Sequence, residues 1–369
     1  MRVFIVGAGF SKATGYPLGS ETLTKIGVYV KNPYLDVLTV DLWREYMEWE
    51  DAQTAPGVSE IIDTGNVEFI ITHLDLLGHA REFNRIQYFR RARHSIGPLG
   101  NEVSSERERH LEETETFFSK ASVARDRLRW CLVKYFEHKD CEGREEENEE
   151  YIIDFCNKIV NQGDVFITFN YDALVERALY SLCRWSPSDG YGFEVDFKEI
   201  EQWKGHKPAH LGKSEVKVLK LHGSVGWYIN ESTNKLFLNW GRFLQSFIPG
   251  IRDASEPDYT PDQYEHPVVI EPSFIKPIEQ KELLGVWDEA RSKLEEAKEV
   301  FIIGYSMPQA DASAQNLIVH SLRANSYYPK VTVVDPDKEI LDRYEELLGF
   351  KVEKQRYKVE DWVSSLITN

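Results

Sequence analysis

Short apolar runs that each end in a glycine or polar turn, with a helical pattern behind them, recur along this chain and limit it to one broad kind of fold. The first, residues 3–6 (VFIV), is uniformly apolar, as expected of a strand in the middle of a sheet covered on both faces. It runs straight into Gly7, Ala8, Gly9, Phe10 and Ser11. The second, DVFITFNYD at 164–172, delivers Asn170 and Asp172 at its carboxyl end. A helix then places Leu174, Val175, Ala178, Leu179 and Leu182 on one side. At 215–227, EVKVLKLHGSVGW ends its alternating run on His222 and Gly223. A helix over 281–300 precedes the strand VFIIG and the loop YSMPQAD, and KVTVVDPDKEILDRYEELLG at 330–349 is again strand then helix. Strands alternating with helices at this spacing predict an α/β fold: a Rossmann-like, mostly parallel sheet with helices on both faces and right-handed crossovers.

Between 35 and 150 the pattern changes. DLLGHAREF and ASVARDRLRWCLVKYF carry apolar residues three and four apart, and Glu-rich pieces such as CEGREEENEE lie between and after them. The expectation is a large, mainly helical insertion over 35–150, interrupting a core made of 1–34 and 151–369. Lys and Arg total 44 against 61 Asp and Glu, a formal charge of −17, which argues against a nucleic-acid partner. No apolar stretch reaches the roughly 20 residues that cross a bilayer, so a membrane protein is not expected. Arg2 leads at once into a strand, which does not read as a signal peptide. The four cysteines, at 131, 141, 156 and 183, include no CxxC pair. They fit a reducing cytoplasm and no structural zinc.

In open α/β sheets ligands sit beyond the carboxyl ends of the strands, and each unusual polar cluster here follows a strand. GAGFS offers small residues and backbone N–H groups to a phosphate, with Ser11 as a further donor. It serves equally as a tight strand-to-helix turn, and Lys12 stands where a GxGxxG fingerprint has its third glycine. Thr168, Asn170 and Asp172 alternate, so extended geometry would point all three to one side. Asp172 reads equally as a helix cap, whereas the Asn170 carboxamide can hold a ribose hydroxyl and a water without bringing charge. His222 has no local metal-ligand partner, and its place after a strand makes it a candidate base as well as a structural histidine. Gly304, Ser306 and Asp311 follow another strand. Asp335 follows the last, as a ribose acceptor or a cap. PVVIEPS at 267–273 reads as a fixed loop without chemistry.

Taken together, GAGFS, TFNYD, LHGS and IGYS, in this order and across nearly the whole chain, resemble the sirtuin-like (SIR2-like) family, in the prokaryotic branch often found in antiviral defence. Sirtuin deacylases carry a zinc module with two CxxC pairs, which none of the four cysteines here supplies, so protein deacylation is not expected. The resemblance implies NAD as substrate and no metal, with hydrolysis of the nicotinamide–ribose bond. It implies that the pyrophosphate rests on Gly7, Ala8, Gly9 and Ser11, with Thr168, Gly304 and Ser306 nearby, and that Asp335 lies on the adenosine side. Asn170 would hold the ribose and orient water, His222 would bind or deprotonate a ribose hydroxyl, and Asp172 would shape the nicotinamide pocket. GNVEFIITHLDLL at 65–77 is similar to a Glu-containing helical stretch that follows the first loop in this branch, which implies packing over the nucleotide site, but Glu68 and Asp75 read better as ordinary polar helix positions.

The resemblance also implies possible partners: a homo-oligomer, or a separate sensor or ATPase subunit. Two other readings stay open, a module that senses NAD or an ADP-ribose derivative, and ADP-ribosyl transfer. Because Asn170 and His222 are expected at solvent-facing strand ends, replacing either by Ala should remove turnover and leave the fold.

Overall fold

The computed structural model describes residues 1–19, 21–22, 25, 132–133, 135–136, 139, 149–193, 213–230, 235–238, 265–270, 281–308 and 311–368. The chain divides into two compact units, one of Met1–Gly19, Val133–Ile270 and Lys276–Asn369, the other of Ser20–Leu132 and Glu271–Ile275. Every strand and helix named below belongs to the first unit. Nearly all of 35–150, Glu68 and Asp75 included, lies outside the described residues.

Six parallel strands form the main sheet: β1 (Arg2–Val6), β2 (Val165–Thr168), β3 (Lys217–Lys220), β7 (Glu299–Ile303), β8 (Lys330–Val334) and β9 (Glu353–Gln355). Their order is β3-β2-β1-β7-β8-β9, so the chain winds outward from β1 in one direction and returns to build outward in the other. That is the doubly wound order of a Rossmann-like fold, with its topological switch between β1 and β7. Ile5 sits in register with Ile167 on one side and Ile302 on the other. Phe4 stacks between Phe166 and Phe301, each ring at 5.2 Å, and meets the edge of Phe155 at 5.3 Å. At the opposite end of these strands Arg2 donates from Nε (3.0 Å) and Nη2 (2.6 Å) to Asp164 Oδ2, and its backbone N–H reaches Oδ1. This clamp fastens the start of β1 to the start of β2.

The helices follow the periodicity of the sequence: α1 (Ala8–Ser11), α2 (Glu150–Asp154, continued as a π-helix over Phe155–Ile159), α3 (Leu174–Ser181), α4 (Lys281–Glu296), α5 (Ala312–Ala324), α6 (Lys338–Leu348) and α7 (Val359–Thr368). Asp311 caps α5 through Ala314 N, and Asp337 caps α6 through Glu339 N. Among the described residues no helix is long and apolar enough to cross a membrane.

A second, antiparallel sheet of order β5-β4-β6 grows out of the turn after β3: β4 (Gly223–Asn230), β5 (Lys235–Leu238) and β6 (Glu265–Val269). The stretch read as a fixed loop from 267 onward is therefore strand in its first residues. Pro267 lacks a donor and argues against a central strand, but β6 is an edge strand, where a missing N–H is tolerated.

At the switch point two backbones touch. Gly9 N–H donates to Gly304 O at 2.8 Å and Gly7 N–H to Ile303 O at 3.2 Å. A Cβ on Gly7 would lie 2.6 Å from Tyr305 Cα, one on Gly9 2.8 Å from Gly304 Cα, and one on Gly304, whose φ is +59°, 2.5 Å from Phe10 N. Gly285, in contrast, lies on the exposed side of α4 with nothing within 4 Å of its would-be Cβ. Gly304→Ala should therefore lower stability by about 2 kcal/mol or more, and Gly285→Ala should raise it by about 0.5–1 kcal/mol. Urea unfolding of the two variants beside the parent checks both signs.

Candidate functional site

The candidate site lies at the carboxyl ends of β1, β2, β3, β7 and β8. The turn after β1 is less generous with donors than its sequence suggests. The N–H groups of Gly7, Gly9 and Phe10 are taken by Ile303 O, Gly304 O and Gly7 O, so the glycines serve first to pack this turn on the one after β7. Ala8 and Gly9 remain half-buried at its surface. Ser11 points inward, 1% exposed, and donates its hydroxyl to Asp172 Oδ2 at 2.8 Å.

β2 ends at Thr168, so the alternation expected to carry through Asp172 stops four residues short, yet the side chains still converge. Thr168 Oγ1 accepts the Asn170 N–H at 3.1 Å. Asn170 Nδ2 donates to Gly7 O (2.9 Å) and Ser11 Oγ (3.1 Å), which hangs the carboxamide on the neighbouring turn while its residue stays half-buried. Asp172 is buried with both oxygens engaged, Oδ2 by Ser11 and Oδ1 by Leu174 N at 3.2 Å. Both sequence readings of Asp172 hold at once: it holds the start of α3 and ties it to the β1 turn.

Beneath them lies a pair that the sequence reading missed. Lys220, 0% exposed, donates from Nζ to Asp172 O at 2.5 Å and pairs with Glu176 Oε1 at 3.0 Å, Glu176 being 1% exposed. Tyr191 also donates to Glu176. Burial pushes the Glu176 carboxyl up, against the pull of Lys220. The available signal was a lysine inside an otherwise apolar strand, VLKLHG, where a cation is tolerated only if paired.

His222 departs from expectation. It is 6% exposed rather than solvent-facing, and its Nε2 lies 3.2 Å from Oδ2 of Asp311, itself 2% exposed. The ring meets Phe169 edge-on at 5.1 Å, and Phe169 stacks on Tyr305 at 4.4 Å. A histidine at a strand terminus is buried here because the β7–α5 turn folds over it. The expectation that His222→Ala leaves the fold intact is therefore corrected: removing the ring opens a cavity and strips a partner from a buried carboxylate. Asn170 stays half-buried.

Ser306 is half-buried after Gly304. Asp335 ends β8 buried, with Oδ1 accepting Asp337 N at 2.8 Å. Burial pushes its carboxyl above the ordinary aspartate range, Asp337 adds to this, and the Asp337 N–H and Arg343 oppose it. Among the described residues no group of three or more His, Cys, Asp or Glu is placed to hold a metal ion.

Residues 164–358, more than half of the chain, match the SIR2-like domain family. The chain belongs to the SIR2-like domain family. The match takes in β2, β3, β7 and β8 of this SIR2-like chain with the clusters that follow them, and starts after the 7–11 turn. A solved structure described by the words "Structural Basis for the Mechanism and Regulation of Sir2 Enzymes" is similar over 100% of this chain and 91% of its own, at 15% identity and a TM-score of 0.41. No curated protein matches the SIR2-like chain in sequence.

Two predictions follow from the burial of these groups. His222→Ala should lower stability by about 1–3 kcal/mol, and Asn170→Ala by less than about 1 kcal/mol, read from denaturant midpoints. An acid whose folded pKa is raised loses stability as pH rises from its unfolded value through its folded one. Asp335→Asn, which keeps an acceptor for Asp337 N, should therefore be more stable than the parent at pH 7. The gap should narrow as pH is lowered.

Proposed function

We propose that this protein is an NAD glycohydrolase that cleaves the nicotinamide–ribose bond to give nicotinamide and ADP-ribose. The observation that carries this reading is a half-buried carboxamide, Asn170, hung on the β1 turn by Gly7 and Ser11, with the His222–Asp311 pair following the neighbouring strand β3. A binding module has need of the turn and of Asp335. It has no need of a fixed carboxamide together with a paired imidazole.

In this reading the Ala8–Gly9 surface of the turn and Ser306 face the pyrophosphate, and Asp335 faces the adenosine ribose. Asn170 holds the nicotinamide ribose and orients water. The C–N bond breaks with its electron pair leaving on nicotinamide, which departs neutral. Water adds to the sugar carbon and gives up a proton. His222 stabilises the positive, sugar-centred transition state by binding or deprotonating a ribose hydroxyl. Asp172, with both oxygens engaged, acts from behind by fixing Ser11 and the start of α3. A role in defence through depletion of NAD, an oligomeric state and a separate sensor or ATPase subunit belong to the same proposal and rest on the family resemblance.

Chromatographic quantification of nicotinamide and ADP-ribose after incubation with NAD tests it. Both products should accumulate together with the parent protein, and Asn170→Ala should slow their release by about a hundredfold or more. Binding of NAD without either product would assign the site to sensing. Nicotinamide without matching ADP-ribose would assign it to transfer.

A further inference from the structure

The reaction as proposed gives Asp311 no step of its own, yet the β7–α5 turn is built around it. Gly304 and Met307 both adopt left-handed backbone, at φ +59° and +51°, and Met307 does so fully buried. The turn is pinned at several carbonyls: Tyr344 donates its hydroxyl to Tyr305 O at 2.6 Å, and Gln315 Nε2 donates to Met307 O (3.2 Å) and Pro308 O (3.0 Å). Such a scaffold delivers one carboxylate with both oxygens placed. Oδ1 accepts Ala314 N at the start of α5. Oδ2 lies 3.1 Å from the Tyr305 hydroxyl, which donates to it, and 3.2 Å from His222 Nε2.

Capping α5 needs one oxygen and would be met by Ser, Thr or Asn. Placing the second oxygen on a buried imidazole is a separate act. We propose that Asp311 is the positioning residue of His222: its carboxylate fixes the ring's orientation and holds the imidazole in its charged form when it takes up a proton. In this assignment Nε2 is the ring atom turned to the carboxylate, 3.2 Å from Asp311 Oδ2. Phe169 and Tyr171 from the β2–α3 turn also meet the ring. Tyr305 reaches it through the shared carboxylate. Just after β6, Ile270 N–H donates to His222 O. Among these described groups, Asp311 is the one that brings a charge to the ring.

This role rests on the NAD-cleaving reading only for its catalytic consequence, and the two are tested separately. Asp311→Asn keeps the size, the cap and an acceptor while removing the charge. The imidazole signal of His222, among ten histidines, is assigned by its loss in His222→Gln and followed by NMR against pH in the parent and in Asp311→Asn. The midpoint should fall by about one pH unit or more when the charge is removed; an unchanged midpoint overturns the proposal. With NAD, Asp311→Asn should lower kcat with little change in KM and move the acid limb of the pH profile down by the same amount. Should the parent cleave NAD and the variant match it in kcat and pH profile, the proposal falls. Should the parent not cleave NAD, the functional reading falls, and the NMR midpoints still decide the role of Asp311.

Discussion

Backbone lying directly on backbone at the switch between β1 and β7 is the contact on which the rest of this core depends. Two turns approach so closely that three positions admit no side chain. One of them, Gly304, also needs a left-handed conformation that a Cβ disfavours. The closeness puts Gly7 O within reach of Asn170 and aligns Ser11 with Asp172, so the β2 turn is built on the β1 turn, and the β1 turn on the β7 turn. A displacement of either strand would be felt at the carboxamide.

Around this contact the polar groups are arranged in depth. Ser11, Asp172, His222 and Asp311 are buried and satisfy one another, as groups removed from water must. Asn170, Ala8, Gly9 and Ser306 stay nearer the surface. The deep set therefore carries geometry and charge, and the shallow set lies nearer to solvent. Preorganisation of this kind is what an electrostatic site requires, since donors already oriented need not reorganise when charge develops.

Much of this was legible in the chain. A run such as 3–6 is too short for a core helix and too apolar for an exposed strand. The doubly wound sheet thus followed from five such runs with helical patterns behind them, and two of the residues named at their ends, Asn170 and Asp172, meet at Ser11. What was not legible depended on partners distant in sequence. GAG reads as a phosphate cradle, and nothing local shows that Ile303 O takes the Gly7 N–H and Gly304 O the Gly9 N–H. His222 reads as a solvent-facing residue until Asp311 arrives from another turn. The stretch from 267 onward was read as a loop, and nothing local says that its first residues pair as an edge strand. The alternation of Thr168, Asn170 and Asp172 predicted convergence correctly, although turn bonds rather than a continued strand produce it.

The Lys220–Glu176 pair has a meaning for how such a sequence can change over time. Each partner alone is an ion stranded in an apolar interior, a loss of about 3–5 kcal/mol, whereas two apolar residues of matching volume together can be close to neutral. That loss is comparable to the whole stability margin of many domains. Lineages drifting by single substitutions therefore face a valley at these two positions, and can leave the charged solution only by crossing it in one double step or after gaining stability elsewhere. A lysine locked in this way, with its ammonium on the Asp172 carbonyl, would persist by historical entrapment even where the chemistry above it had been lost. Finding this lysine in a divergent sequence would then testify to ancestry more reliably than to activity.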